Sequence, residues 1–248
     1  MIRGIYSSGA GMQPRMMRLE VIGNNLANIE TTGFKRDNLF IRILKDKGVD
    51  MAQGKSELSG LDAKEFTDFT EGSLNATNNP LDCAIVGDGF FTIDTPQGIR
   101  YTRNGNFMLS VDGTLETNQG YPVLSTTGRI QMPDIQRLSQ GNITINQLGE
   151  VSVDNKTIAK LRIATFDDKT TLKKDRSTCF AADAPEKPAD PDGKNMIVRQ
   201  GYLEESNVDG IEEMIVMIEQ SRSFESDQKA IQAQDETVER ALDLGRVP

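Results

Sequence analysis

Apolar residues recur at steps of three and four at both ends of the chain, with short alternating runs between them. At the N-terminal end the series is Ile2, Ile5, Gly9, Met12, Met16, Leu19, Gly23 and Leu26. This spacing is the seam of a helix that packs on other helices. Two seam positions are glycine, at a cost of about 1 kcal/mol of helix propensity each, which suits a place where another helix approaches closely. Pro14 lies inside the pattern and predicts a kink or a later start. At the C-terminal end Met214, Met217, Ser221, Phe224, Gln228, Ile231, Asp235, Val238 and Leu242 repeat the same steps, and Ile211, Ile215 and Ile218 widen the upper half of the stripe. Asp209 and Glu212 stand at capping-box spacing, with aspartate in place of serine or threonine. A helix from Asp209 to Leu244 spans roughly 50 Å at ~1.5 Å per residue.

The middle of the chain has a different period. From Thr70 to Gln200 it carries the short β-type runs "CAIV", "GFFTID", "IRYTR", "FMLSV", "YPVLS", "ITINQ", "EVSVD" and "AKLRIATF". Turn signals separate them at Gly87-Asp88-Gly89, Asn104-Gly105-Asn106, Asp112-Gly113 and Asn118-Gln119-Gly120. Short strands at this spacing predict an all-β sandwich or barrel-like domain. "AADAPEKPADPDGKN", from Ala181 to Asn195, reads as an exposed loop, and Leu44 to Phe66 as a connector of weak periodicity. The expected order is therefore helix, β domain, helix. Pairing the two terminal helices covers one face of each, and the C-terminal seam includes Gln228 and Asp235. The spacing thus points to helices completed by other subunits.

Composition narrows the function by exclusion. The 248 residues carry a net charge of −9, the wrong sign for displacing counterions from nucleic-acid phosphate. Histidine is absent, which removes Ser-His-Asp and Cys-His nucleophile systems and the commonest metal ligand. Cys83 and Cys179, far apart in sequence, indicate neither a disulfide framework nor a zinc site and are expected as two buried free thiols. "GDGFFT" begins like a dinucleotide fingerprint but lacks the third glycine and continues as strand, so it reads as a hairpin turn. "DPDG", Asp190 to Gly193, lacks the ligand spacing of a calcium loop. No enzyme, cofactor or metal is expected. The N-terminus has no apolar core of a secretory signal peptide, and the longest apolar run, Met214 to Ile218, is too short to span a bilayer. A chain without a cleaved signal and without direct membrane insertion is expected.

Three blocks carry a resemblance. "VIGNNLANIETTGFKRD", Val21 to Asp37, resembles the N-terminal signature of the flagellar basal-body rod and hook proteins, with its Asn-Asn-Leu-Ala-Asn core and Thr-x-Gly-Phe-Lys. "TEGSLNATNNPLDCAIVGDGFFTID" with "YTRNGNFMLSVDGTLETNQGYPVL" looks like that family's β domain, and "GYLEESNVDGIEEMIVMIEQSRSFESDQKAI" like its C-terminal helix. The resemblance implies an α+β fold in which N- and C-terminal helices pair as a coiled coil beside an all-β central domain. Its expected parts are residues 1–36 (helix and turn), 37–70 (connector), 71–202 (β domain) and 203–248 (helix). It also implies a structural subunit of the rod, located in the basal body across the periplasmic space and passed out by the flagellar type III export apparatus. Its partners would be copies of itself and other rod and hook axial proteins, with no nucleic acid. The short connector favours the proximal-rod type over the distal-rod type, with a soluble periplasmic binding module or an export-associated scaffold as the alternatives from other classes.

Subunit contacts are accordingly expected on the seams at Ile2, Ile5, Met12, Met16, Leu19, Leu26, Ile211, Met214, Ile215, Met217, Ile218, Phe224, Ile231, Val238 and Leu242. The corner residues Asn24, Asn25, Asn28, Gly33 and Phe34 are expected to join them. Gly33 suits a left-handed helix stop. Phe34 is expected to anchor the turned chain, with Lys35 and Arg36 facing polar partners.

Overall fold

The eight β-type runs all form strands. The computed structural model describes residues 2–43, 61–132, 143–176, 178–182, 186–188 and 196–244. The chain opens with α1 (Ile2–Ala27), followed by β1 (Asp37–Ile43) and β2 (Leu61–Thr67), which pair with each other. Then come β3 (Leu74–Ala76), β4 (Cys83–Gly87), β5 (Phe90–Thr95), β6 (Gly98–Thr102), β7 (Phe107–Leu109), β8 (Leu115–Thr117), β9 (Leu124–Ser125) and β10 (Gly128–Arg129). They are followed by β11 (Ile143–Ile145), β12 (Glu150–Val153), β13 (Lys156–Lys160), β14 (Ile163–Thr165), β15 (Leu172–Arg176), β16 (Cys179–Ala182), β17 (Lys187–Pro188), β18 (Met196–Gln200) and β19 (Tyr202–Glu204). The last element is α2 (Gly210–Leu244).

The chain divides into two compact units. One comprises α1, the paired strands β1 and β2, and α2; the other comprises Asn28–Arg36 and Thr67–Val208. This division cuts across the expected one. The corner after α1 belongs to the β unit rather than to the helix, and the connector opens and closes as paired strands. Its residues 44–60 lie outside the described residues, as do 189–195 of the expected loop, with "DPDG" among them.

In the β unit the largest sheet has six strands in the order β15-β16-β6-β5-β14-β17. β5, at its centre, carries most of "GFFTID" and is covered on both faces. Phe91 and Ile93 enter one cluster with Cys83, Ile85, Phe107 and Leu115, whereas Phe90 enters another with Tyr101, Leu172 and Phe180. Successive side chains point to opposite faces, and Thr92, on the face of Phe90, is as fully buried as Phe91 and Ile93 on the other. Phe91 meets Phe107 edge to face at 5.0 Å, and Phe90 meets Phe69 in the same way at 5.6 Å. β18 closes beside β4 with Val198 opposite Ile85. Both cysteines are free and buried, as the sequence reading expects. Burial pushes the Cys83 thiol up to about 12, with the Asp82 charge adding to it.

In the helical unit α1 starts at Ile2 and runs as helix through Pro14, so the later start does not occur. Proline at that position removes a single rung of the ladder, the bond its missing N–H would give to the carbonyl four residues back. α2 begins where the capping spacing places it. Asp209 Oδ1 accepts the N–H of Ile211 at 2.9 Å and of Glu212 at 3.2 Å, satisfying donors that a helix start leaves open. The helices lie side by side, antiparallel. Arg15 Nε pairs with Asp227 at 3.1 Å, and ten residues further along α1 the Asn25 amide donates to Glu213 Oε1 at 3.3 Å, back near the start of α2. No described helix is long and apolar enough to cross a membrane.

Candidate functional site: assembly surface and helix roots

α2 shows two faces. Along one, Glu213 is buried and Met217, Phe224, Asp227 and Ile231 are half-buried. Along another, Ile211, Met214, Ile215 and Ile218 stand 70%, 47%, 54% and 53% exposed. Their spacing of three, one and three residues puts all four on a single stripe one helical turn apart. The sequence seam is therefore split: part of it is covered within the chain and the upper part faces outward.

The seam of α1 is divided in the same way. Met12, Leu19 and Leu26 are half-buried, Met16 is exposed, and the most deeply buried apolar residues are Val21 and Ile22, which the seam does not include. Ile2, Ile5, Val238 and Leu242 lie in helical backbone, with side chains outside the described residues. Among the described residues, no atom outside its own helix turn lies within 4 Å of where a Cβ on Gly23 would stand. Gly23→Ala is expected to stabilise the isolated chain by about 1 kcal/mol in thermal denaturation, since alanine is the better helix former. If the variant also loses motility, a neighbouring subunit is what needs the space.

Three corner residues expected at a subunit interface make contacts inside the chain. Asn25 is buried, donates to the Asp37 carbonyl at 2.9 Å and accepts the Asp37 N–H at 2.9 Å, which fixes the start of β1 against α1. Gly33 has φ +69° and donates its N–H to the Glu204 carbonyl at 2.7 Å. Phe34 is fully buried, with Lys174 Nζ 3.7 Å above its ring. Asn24 is exposed, whereas Asn28 is half-buried and accepts the Thr31 hydroxyl at 3.2 Å.

Beside Gly33 lies a charged cluster that local sequence gives no sign of. Lys35, Arg103 and Glu204 are all buried. Lys35 Nζ reaches Glu204 Oε1 at 2.5 Å and the Thr70 carbonyl at 2.5 Å, and Arg103 Nη1 reaches Glu204 Oε2 at 3.3 Å. Arg103 also donates Nη2 to the Gly87 carbonyl at 2.7 Å and stacks over Phe90 at 5.1 Å. Burial pulls the Lys35 amine below its ordinary range, and the Glu204 carboxylate opposes that shift. Asn207 adds a second tie: its Oδ1 accepts the Arg36 N–H at 2.7 Å and its Nδ2 donates to the Asp68 carbonyl at 2.9 Å. The segment that follows α1 and the segment that leads into α2 are thus bonded to each other inside the β unit. Both also line a groove of about 450 Å³, Ile29 and Thr32 from the first and Leu203 and Val208 from the second.

Three family models match this chain. Residues 5–35 match the family model described as flagella basal body rod protein, 84–153 the flagellar hook protein FlgE/F/G D1 domain, and 199–244 the flagellar basal body rod FlgEFG protein C-terminal model. The chain is similar to the flagellar basal-body rod protein FlgG of Bacillus subtilis, 35% identical over 99% of this chain and 100% of that protein. It is similar also to the rod proteins FlgF of Caulobacter vibrioides, 32% identical over 92% of each, and of Rhizobium meliloti, 32% identical over 97% and 96%.

Proposed function

Because the chain belongs to the flagellar basal-body rod protein family, whose members are structural subunits and not enzymes, we propose that it polymerises through its terminal helices into the tubular drive shaft of the rod. The observation that carries this reading is the outward stripe Ile211, Met214, Ile215 and Ile218. Covering the half of each that remains in water is worth about 3–6 kcal/mol across the four, before ordering costs. In the polymer α1 and α2 pair as a coiled coil, and neighbouring copies and other axial proteins of the rod cover the stripe. Each contact is head-to-tail, which generates a helical filament where the rotation does not close. The subunit crosses the periplasmic space after passage through the flagellar type III export apparatus.

The short connector, without the Gly-Thr-Gly-Val segment of distal-rod proteins, supports the proximal-rod type. The distal type is the second reading, because the chain is similar over nearly its whole length to FlgG as well as to FlgF. Imaging of isolated basal bodies that carry a tagged copy of this chain tests both. Label in the rod beside the inner membrane supports the proximal type, label further out supports the distal type, and rods without label overturn the reading.

A further inference from the structure

The β unit buries two cations, Lys35 and Arg103, against one carboxylate, Glu204. These residues come from three stretches far apart in the chain, and Glu204 is the last to be made or delivered. Its side chain also accepts the Gly72 N–H at 3.1 Å, and its backbone carbonyl accepts that of Gly33. Four segments of the unit therefore meet on one residue. The other carboxylate acting on Lys35, that of Glu71, does not replace it: Glu71 is exposed and accepts the Gly87 N–H at 2.7 Å. A buried cation without its counter-charge is strongly unfavourable, because the desolvation cost stays while the attraction is gone.

We propose that Glu204 is the closing charge of the β unit, so that the unit remains open until residue 204 reaches Lys35 and Arg103. Closure then fixes both helix roots in one step, since Gly33 to Arg36 and Glu204 to Asn207 are tied to each other. A subunit built this way does not close its β unit while its C-terminal part is still missing. That consequence for export rests on the rod reading; the charge coupling does not, and it is measurable on the isolated protein.

The experiment compares thermal unfolding of the purified full-length chain with Glu204→Gln, Lys35→Met and the double variant. Glu204→Gln, which strands two cations, is expected to lower the midpoint by roughly 10 °C or more. Lys35→Met, which leaves Glu204 paired with Arg103, is expected to lower it by less than half as much. The double variant is expected to regain at least half of what Glu204→Gln loses. Amide exchange at Gly33 and Gly72 is expected to speed up in Glu204→Gln and to slow again in the double variant. Equal midpoints for the two single variants, or a double variant as low as the sum of both losses, would overturn the proposal. Rod incorporation enters none of these readings, so failure here leaves the rod reading standing.

Discussion

Ile215→Asp is expected to abolish incorporation into the rod while leaving the β unit folded. Ile215 stands on the outward stripe of α2 and is more than half exposed in the single chain. The substitution therefore removes little intrachain packing. In the assembly its effect is large, because a carboxylate then sits where apolar surface must be covered, one turn from Glu212 and Glu219. A charge enclosed without a partner costs several kcal/mol, and the cost recurs at every subunit. Motility in a strain carrying only the variant, read beside the melting curve of the purified protein, separates assembly from stability. Swimming at the normal rate would sink the outward-stripe model. Met217→Asp is expected to lose motility as well, but with some loss of stability, because Met217 is already half-buried within the chain.

Gly33→Ala is expected to destabilise the β unit by about 3–5 kcal/mol, a fall in midpoint of roughly 10 °C. Two effects add. The backbone there has φ +69°, which a residue with a Cβ adopts reluctantly. The Cβ would also stand 2.4 Å from the backbone nitrogen of Asn104 and 2.5 Å from the carbonyl carbon of Arg103. Both atoms are main chain, so no side chain can turn aside. The displaced segment carries Arg103, which pulls the guanidinium away from Glu204. Calorimetry of the variant beside the parent chain checks the value, and a midpoint within 2–4 °C, the equivalent of about 1 kcal/mol, would show that the corner yields more easily than its geometry implies.

What the sequence discloses follows the range of the interaction concerned. Helix periods and strand alternation are local, and so α1, α2 and the β runs were legible within a few residues. The face each helix buries is less so. A seam marks one stripe, but α1 is held to both α2 and β1 through Asn25, so the buried face widens to Val21 and Ile22. The Gly33 stop was readable from its flanking threonines. The Lys35–Glu204 pair was not, because its members are 169 residues apart and neither stands in an apolar run that would mark a buried charge. Their partnership is a property of the closed β unit and exists only once that unit has formed.

The two thiols have a practical consequence. Both sulfurs are buried, and the one at Cys83 keeps its proton far above neutral pH. The thiolate is the reactive form, so the native chain presents no reagent-ready sulfur of its own. A cysteine placed at Ile218 would then be the one position that takes a maleimide dye in the native protein. Its labelling rate, followed before and after polymerisation, would report directly how much of the α2 stripe becomes covered.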